Sequence, residues 1–533
     1  MLIPLPKNRC GTDKILHLGK LVISCGEEEK QFVKTYLKMF CDLSFEFADF
    51  DAGNLIIKRI AEFGENEYRI KADLKTEIEY GTDEGLRNAL ASFIVLIGEE
   101  NGEIYINKQE IHDFSKCKFR SVMIDLARGL PNIERLKEDI KRLSLAKCNF
   151  LHFHLMDEMG ICYESAVFRG ENIRGTKRYG IDTMKELVKY CHDLGISVIP
   201  EIEIPAHAKY LLKEYPELKC DCDDENQSLW TICAGNEKTY EFYSRLIDEI
   251  CTIFPDEYIH VGGDELYFGD FPEWNSRCHW SECRVCGKRV EEEHLRGTGE
   301  LYCYMMNRIN EKIKSCGKKM IMWNDEVDIS KDIPLSRDII IEYWRISNEN
   351  RGPRKGCSFN EFLKKGFTVI NANFEKSYID AEAYANPEKT ASYSYKTYPT
   401  NDNGENIMGA ETCAWEYGNP AAVHYNTSFS PSAILLLDKM WNTDDRAYND
   451  VYRKALTKLI LGTQTPQNYD MFEIFGSVMP PRTSENMTYA TPKNELIDYE
   501  TLEKHSSILK GIKNTYSPYY LKKLIEIVEK ERG

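Results

Sequence analysis

From Phe119 onward the chain alternates short apolar runs with amphipathic stretches, and this rhythm restricts its fold more than any other feature. Residues 121–125, 150–155, 197–202, 258–262, 319–323, 339–343, 367–371 and 407–413 each read as a strand. Helical periodicity fills most of the gaps, as at 133–147, 184–194, 238–254 and 299–316. Strand–helix–strand order implies parallel pairing, because parallel neighbours need a long crossover. Eight such units within about 300 residues predict a closed (β/α)8 barrel, the TIM barrel. A doubly wound open sheet is the alternative use of the same units. Either architecture collects its site at the carboxyl ends of the strands, and that is where this chain keeps its polar clusters.

At 533 residues the chain exceeds one ordinary core. Residues 55–57, 68–72 and 77–81 alternate like strands, and 83–97 carries Leu86, Leu90, Phe93 and Leu96 on one helical face. We therefore expect a small α+β domain over residues 1–116, with 108–118 as a connecting segment. The barrel should occupy 117–422. A helical C-terminal region, with helices near 433–441 and 451–461, should complete the chain over 423–533.

A formal net charge of −17 disfavours nucleic acid or an anionic membrane as partner and suits a neutral substrate. The N-terminus carries no apolar core of signal-peptide length, and no 18-residue uncharged apolar run is present. The 18 cysteines are then expected to be reduced thiols in a cytoplasmic protein. Oligomeric state is not legible.

The fourth strand ends in His260-Val261-Gly262-Gly263-Asp264-Glu265. Two glycines let a ligand approach the backbone closely, and two adjacent carboxylates suit acid–base chemistry. In a regular strand neighbouring side chains face opposite ways, so both can serve one ligand only where the strand frays. Other strand ends carry His152-Phe153-His154-Leu155-Met156-Asp157-Glu158 and Pro200-Glu201-Ile202-Glu203-Ile204-Pro205-Ala206-His207. Further on come Met322-Trp323-Asn324-Asp325, Glu342-Tyr343-Trp344, Ser377-Tyr378-Ile379-Asp380 and Gly409-Ala410-Glu411-Thr412-Cys413-Ala414-Trp415-Glu416.

In this order, and with Arg120-Ser121-Val122-Met123-Ile124-Asp125-Leu126-Ala127-Arg128 on the first strand, these segments resemble glycoside hydrolase family 20, the exo-β-N-acetylhexosaminidases. Ser121, Glu158, Glu203 and Ala206 depart from the family's pattern, and Glu416 follows Trp415 directly where the family places its glutamate one position later. The resemblance implies a retaining, substrate-assisted hydrolase of terminal β-linked GlcNAc or GalNAc on an oligosaccharide or glycoconjugate, without a catalytic cofactor. It assigns Glu265 as acid/base, Asp264 and Tyr378 to the acetamido group, and His207 as a bridge between Asp157 and Glu265. Arg120, Trp323, Trp344, Asp380, Trp415 and Glu416 would bind the sugar.

Two other readings remain at this stage. One is a catalytically silent sugar-binding barrel. The other is a metal-dependent amidohydrolase using His152 and His154. Outside these motifs, Cys278, Cys283 and Cys286, together with Cys220, Cys222 or His279, have the spacing for a structural zinc site, or are four reduced thiols.

Overall fold

The computed structural model describes residues 2–40, 44–49, 52–100, 103–169, 178–223, 228–266, 278–324, 326–327, 334–345, 357–379, 406–415, 423–443, 455 and 459. Its centre is a closed barrel of parallel strands. In chain order these are Phe119–Asp125, Phe150–His154, Ser197–Ile204, Tyr258–Gly262, Lys319–Trp323, Ile340–Tyr343, Val369–Asn371 and Ile407–Ala414. Each pairs with its successor and the eighth closes on the first, with Gly409 opposite Phe119. The open-sheet alternative is thereby set aside.

The strands are buried almost end to end, the pattern expected of parallel strands covered on both faces. Two of the crossover helices start at asparagine side-chain caps. Asn132 accepts from the Glu134 N–H at 2.9 Å to open helix Ile133–Leu145. Asn236 accepts from the Lys238 N–H at 3.1 Å to open helix Glu237–Ile253.

The N-terminal unit is a mixed sheet of eight strands under helices Lys30–Phe40 and Asp83–Leu96. Its longest pair joins Asn8–Gly19 to Glu103–Asp113 antiparallel. The expected connector at 108–118 is therefore corrected, since its first half belongs to the sheet and pairs with Tyr68–Ala72 as well. Only Phe114–Lys118 separates sheet from barrel.

Helix Val423–Asn442 packs against the first and eighth barrel strands and helix Ile133–Leu145, and its carboxyl-terminal end meets the N-terminal unit. There the indole N–H of Trp441 donates to Asp113 Oδ1 at 3.1 Å, and the Leu5 N–H donates to Asp438 Oδ1 at 2.7 Å. Ala455 and Leu459 are helical and buried; the rest of the segment expected at 451–461 lies outside the described residues.

Candidate active site

The acid pair is made by a sharp turn at the end of the fourth strand. Gly262 and Gly263 take φ of +67° and +93°, and Glu265 itself takes +48°. This left-handed path rotates Asp264 and Glu265 toward one side, which a regular strand forbids. A Cβ at Gly262 would lie 2.1 Å from Glu203 Oε2, so close packing as well as φ selects glycine there. The turn is tied down on three sides. The Tyr302 hydroxyl donates to the Gly263 carbonyl at 2.6 Å, the Trp230 indole N–H donates to the Glu265 carbonyl at 2.7 Å, and the Leu266 N–H donates to Glu326 Oε1 at 3.0 Å. Asp264 Oδ1 is buried and has no hydrogen-bond partner among the described residues.

His207 stands between this pair and the second strand. Its Nε2 is 3.5 Å from Glu265 Oε2 and 3.7 Å from Asp264 Oδ2. Its Nδ1 is 3.1 Å from Glu158 and 3.5 Å from Asp157. His207 thus stands between the two carboxylate groups, nearest to Glu158, and its approach to Glu265 is a charge contact at 3.5 Å. Burial opposes a charge on His207, yet Asp264, Glu158 and Glu265 outweigh it and raise its pKa well above the usual imidazole value. Asp157 serves mainly as a support, 2.6 Å from Arg128 Nη2 and 3.1 Å from His154 Nε2.

Arg120 does not reach this site. It begins the first strand, so its side chain lies at the opposite, amino-terminal end of the barrel. It is fully buried there, paired with Glu84 and donating through Nε to the Lys147 carbonyl at 3.0 Å. The sugar-binding role expected of Arg120 is corrected: its position in the strand makes it a structural ion pair. Arg128, eight residues on, is the arginine at the carboxyl face. It is 17% exposed, 3.4 Å from Asp125 and 5.2 Å above the centre of the Trp415 ring.

Aromatic side chains form the wall opposite the acid. The rings of Trp344 and Tyr378 stack at 6.1 Å and 12°, and Tyr378 is 6.0 Å from Trp415. Asn324 joins strands five and six by accepting from the Trp344 N–H at 3.0 Å. Trp323 is only 1% exposed and its indole N–H donates to Glu201 at 2.9 Å, so it is the floor beneath the wall and not a free sugar platform. Asp380 and Glu416 lie outside the described residues.

Below the floor the barrel interior is polar. His152 lies 2.9 Å from Glu411 and 3.1 Å from Glu201, while His154 contacts Glu201 and Asp157. Burial opposes ionisation of Glu201, but His154, His260 and His152 hold its pKa well below the carboxylate range. Burial and neighbouring carboxylates push Glu203 and Glu342 well above that range. Both ring nitrogens of His152 and of His154 face carboxylates, so the pair sits in a buried network of charged and polar groups. A cleft of about 1050 Å³ at the barrel's other end, beside Arg59, Glu84 and Tyr258, is remote from the acid pair.

The cysteines converge differently from their spacing. The four that meet are Cys220, Cys233, Cys283 and Cys286. Cys278 and Cys222 are not among them. His279 accepts from the Ser228 N–H at 3.0 Å through Nε2 and faces Glu282 at 3.2 Å through Nδ1. Cys233, Arg128, Glu158 and Trp230 were the site residues missed; for the first, no CxxC spacing marks it.

Known proteins resemble this arrangement. A β-hexosaminidase of Porphyromonas gingivalis is 26% identical over 61% of this chain and 45% of its own length. One of Vibrio furnissii is 27% identical over 69% of this chain and 61% of its own. The chain thus spans roughly half the length of these relatives. The crystal structure of a β-N-acetylhexosaminidase from Bacteroides fragilis superposes with a TM-score of 0.72 at 25% identity, covering 86% of this chain and 94% of that one. An exo-β-N-acetylglucosaminidase from Vibrio harveyi, solved with N-acetylglucosamine, shares the fold at TM-score 0.71 and 20% identity, over 86% and 76%. The catalytic-domain model of glycosyl hydrolase family 20 matches residues 117–444, and the chain belongs to that family.

Proposed function

We propose that this chain is an exo-acting β-N-acetylhexosaminidase that releases terminal, non-reducing β-linked GlcNAc or GalNAc from oligosaccharides or glycoconjugates. The observation that carries the reading is the turned Asp264–Glu265 pair, with Asp264 Oδ1 buried and without a hydrogen-bond partner among the described residues, beside a Glu265 that faces His207. A buried carboxylate oxygen so placed suits a ligand N–H, which the acetamido group supplies. The names of the relatives point to the same substrate class.

The mechanism follows as substrate-assisted retention, a recognised departure from the two-carboxylate scheme. The acetamido oxygen attacks C1 while the glycosidic C–O bond breaks, and Glu265 gives its proton to the leaving oxygen. Asp264 accepts the acetamido N–H and offsets the positive charge of the oxazolinium intermediate. The Tyr378 hydroxyl donates to the acetamido oxygen and aims it. Water then adds to C1 from the vacated side, losing its proton to Glu265, while the bond from C1 to the acetamido oxygen breaks and restores the acetamide, so the β configuration is kept. Arg128 would bind the sugar's outer hydroxyls, and Trp344 and Trp415 would pack on its apolar face. The chemistry calls on no cofactor; a structural zinc would belong to the cysteine cluster alone.

The absence of a bridge among the 17 described cysteines supports a reducing, cytoplasmic setting. The test is a panel of 4-nitrophenyl N-acetyl-β-glucosaminide, its galacto epimer and the non-acetylated β-glucoside. The acetamido substrates should turn over, the plain glucoside should barely react, and an oxazoline-like thiazoline should inhibit. A covalent glycosyl-enzyme trapped on any carboxylate would overturn the mechanism.

A further inference from the structure

The four sulfur atoms of Cys220, Cys233, Cys283 and Cys286 lie within 4.8 Å of one another, and each residue is at most 5% exposed. Cys233 Sγ is 3.7 Å from Cys283 Sγ and 3.6 Å from Cys286 Sγ. These separations are far too long for disulfides. They match another geometry: four thiolates at the Zn–S distance of about 2.3 Å form a tetrahedron with edges of about 3.8 Å. Cys283 Sγ also accepts backbone N–H groups of Asp221 at 3.3 Å and Cys286 at 3.4 Å. Amide donors to a sulfur favour its thiolate form, the form a metal needs.

The centre joins two loops of the active face. Cys220 and Cys233 follow the third barrel strand, and Cys283 and Cys286 follow the fourth, with Cys283 capping helix Arg284–Glu292. The loops meet backbone to backbone. The Arg284 N–H donates to the Asp221 carbonyl at 2.9 Å, and a Cβ at Gly235 would strike the Val285 carbonyl at 2.4 Å. Three residues before Cys233 stands Trp230, whose indole N–H holds the Glu265 carbonyl and whose ring lies 4.4 Å from that of His207. Ile232, adjacent to Cys233, is anchored twice more. Its N–H donates to the Pro205 carbonyl at 3.0 Å, and its carbonyl accepts from the Trp280 indole at 2.7 Å.

We propose that Cys220, Cys233, Cys283 and Cys286 bind one zinc ion as a closed tetrathiolate centre, and that this ion pins the loop that positions Trp230 against Glu265. All four coordination positions are filled by protein, so the ion is structural and takes no part in bond making. Trp230 is a positioning residue in this scheme. The positioning half of the proposal rests on Glu265 being the acid; the metal half does not.

The test uses the full chain produced in zinc-supplemented medium and purified without chelator. Elemental analysis should find about one zinc per chain. Titration with an organomercurial should release that zinc in step with thiol modification, read by a chromogenic chelator. Cys233→Ser should abolish stoichiometric zinc, while Cys278→Ser should keep it. Cobalt-grown protein should show the intense visible absorption of tetrahedral cobalt thiolate. Iron in place of zinc, no metal in the native chain, or loss of metal in Cys278→Ser but not in Cys233→Ser would each overturn the centre. In protein that still folds, Cys233→Ser and Trp230→Phe should both lower kcat several-fold with KM little changed. Unchanged kcat in Cys233→Ser would overturn the link to Glu265, whatever the metal content.

Discussion

Gly262→Ala tests whether the end of the fourth strand aims the acid. Two obstacles meet the new methyl group. At φ +67° an L-residue carries a left-handed cost of roughly 1–2 kcal/mol. Its Cβ would also lie 2.1 Å from Glu203 Oε2, where an ordinary contact needs more than about 3.4 Å. Glu203 is 1% exposed and cannot swing out to solvent, so much of the missing ångström must come from the backbone at 262–265. A displacement of about 1 Å in reacting groups costs on the order of 100-fold in rate. We expect kcat on 4-nitrophenyl N-acetyl-β-glucosaminide to fall about 100-fold with KM within a few-fold of wild type. Denaturant unfolding should show a stability loss of roughly 1–3 kcal/mol. Gly366→Ala separates the two effects, since its φ is +83° but nothing lies within 4 Å of the added Cβ. It should lose roughly 1 kcal/mol of stability and no activity. Wild-type kcat in Gly262→Ala, or an equal loss of kcat in Gly366→Ala, would refute the reasoning.

Glu265→Gln should lower kcat on a β-linked disaccharide by roughly 10²–10⁴-fold, and by less on a 4-nitrophenyl substrate whose departure needs little protonation; full activity on the disaccharide would remove Glu265 from the mechanism. Arg128→Ala should raise KM by roughly 10- to 100-fold through the loss of charged hydrogen bonds to the sugar. Arg120→Ala should instead lower stability by roughly 1–3 kcal/mol, because the buried Lys147 and Cys117 carbonyls lose their donor while Glu84 keeps Arg87 and Asn149, and should leave KM alone in the folded fraction; the opposite pattern would return the sugar to Arg120. His152 is pushed up to about 9, burial opposing and Glu411 and Glu201 prevailing, from an ordinary 6.5. A raised folded-state pKa stabilises fully below the unfolded value and ceases to do so as pH climbs through the folded one. Denaturation midpoints should therefore drop between pH 6.5 and about 9, and a His152→Gln variant with an equally steep drop would contradict the assignment.

The barrel was legible because parallel strands buried on both faces are written as unbroken apolar runs, and the eight expected runs lie within two or three residues of the observed ends. Strand Asn8–Gly19 was not, since most of its residues are exposed and carry no apolar alternation. Within the site, the structure brings the HVGGDE turn beside His207 and sets Trp344, Tyr378 and Trp415 side by side. The choice of Arg120 over Arg128 overlooked strand polarity: a residue at the start of a barrel strand belongs to the face away from the chemistry. Cys233 was invisible for a different reason. Two of its partners, Cys283 and Cys286, sit fifty or more residues on, and only the folded adjacency of two loops brings them together.

The contacts beneath the barrel bear on whether its catalytic domain can be moved as a unit. A cut at residue 117, where the family match begins, would take away Glu84, Asp113 and Tyr68. Arg120 would lose Glu84, and Lys147 would lose Asp113, 2.7 Å away, and the Tyr68 hydroxyl, 2.9 Å away. Both cations are at most 2% exposed in the intact chain, so the cut would remove the counter-ion of each together with part of its cover. Excision, grafting and recombination at that junction thus require rewriting the barrel's underside. A portable piece must keep the sheet and helix Val423–Asn442 with the barrel.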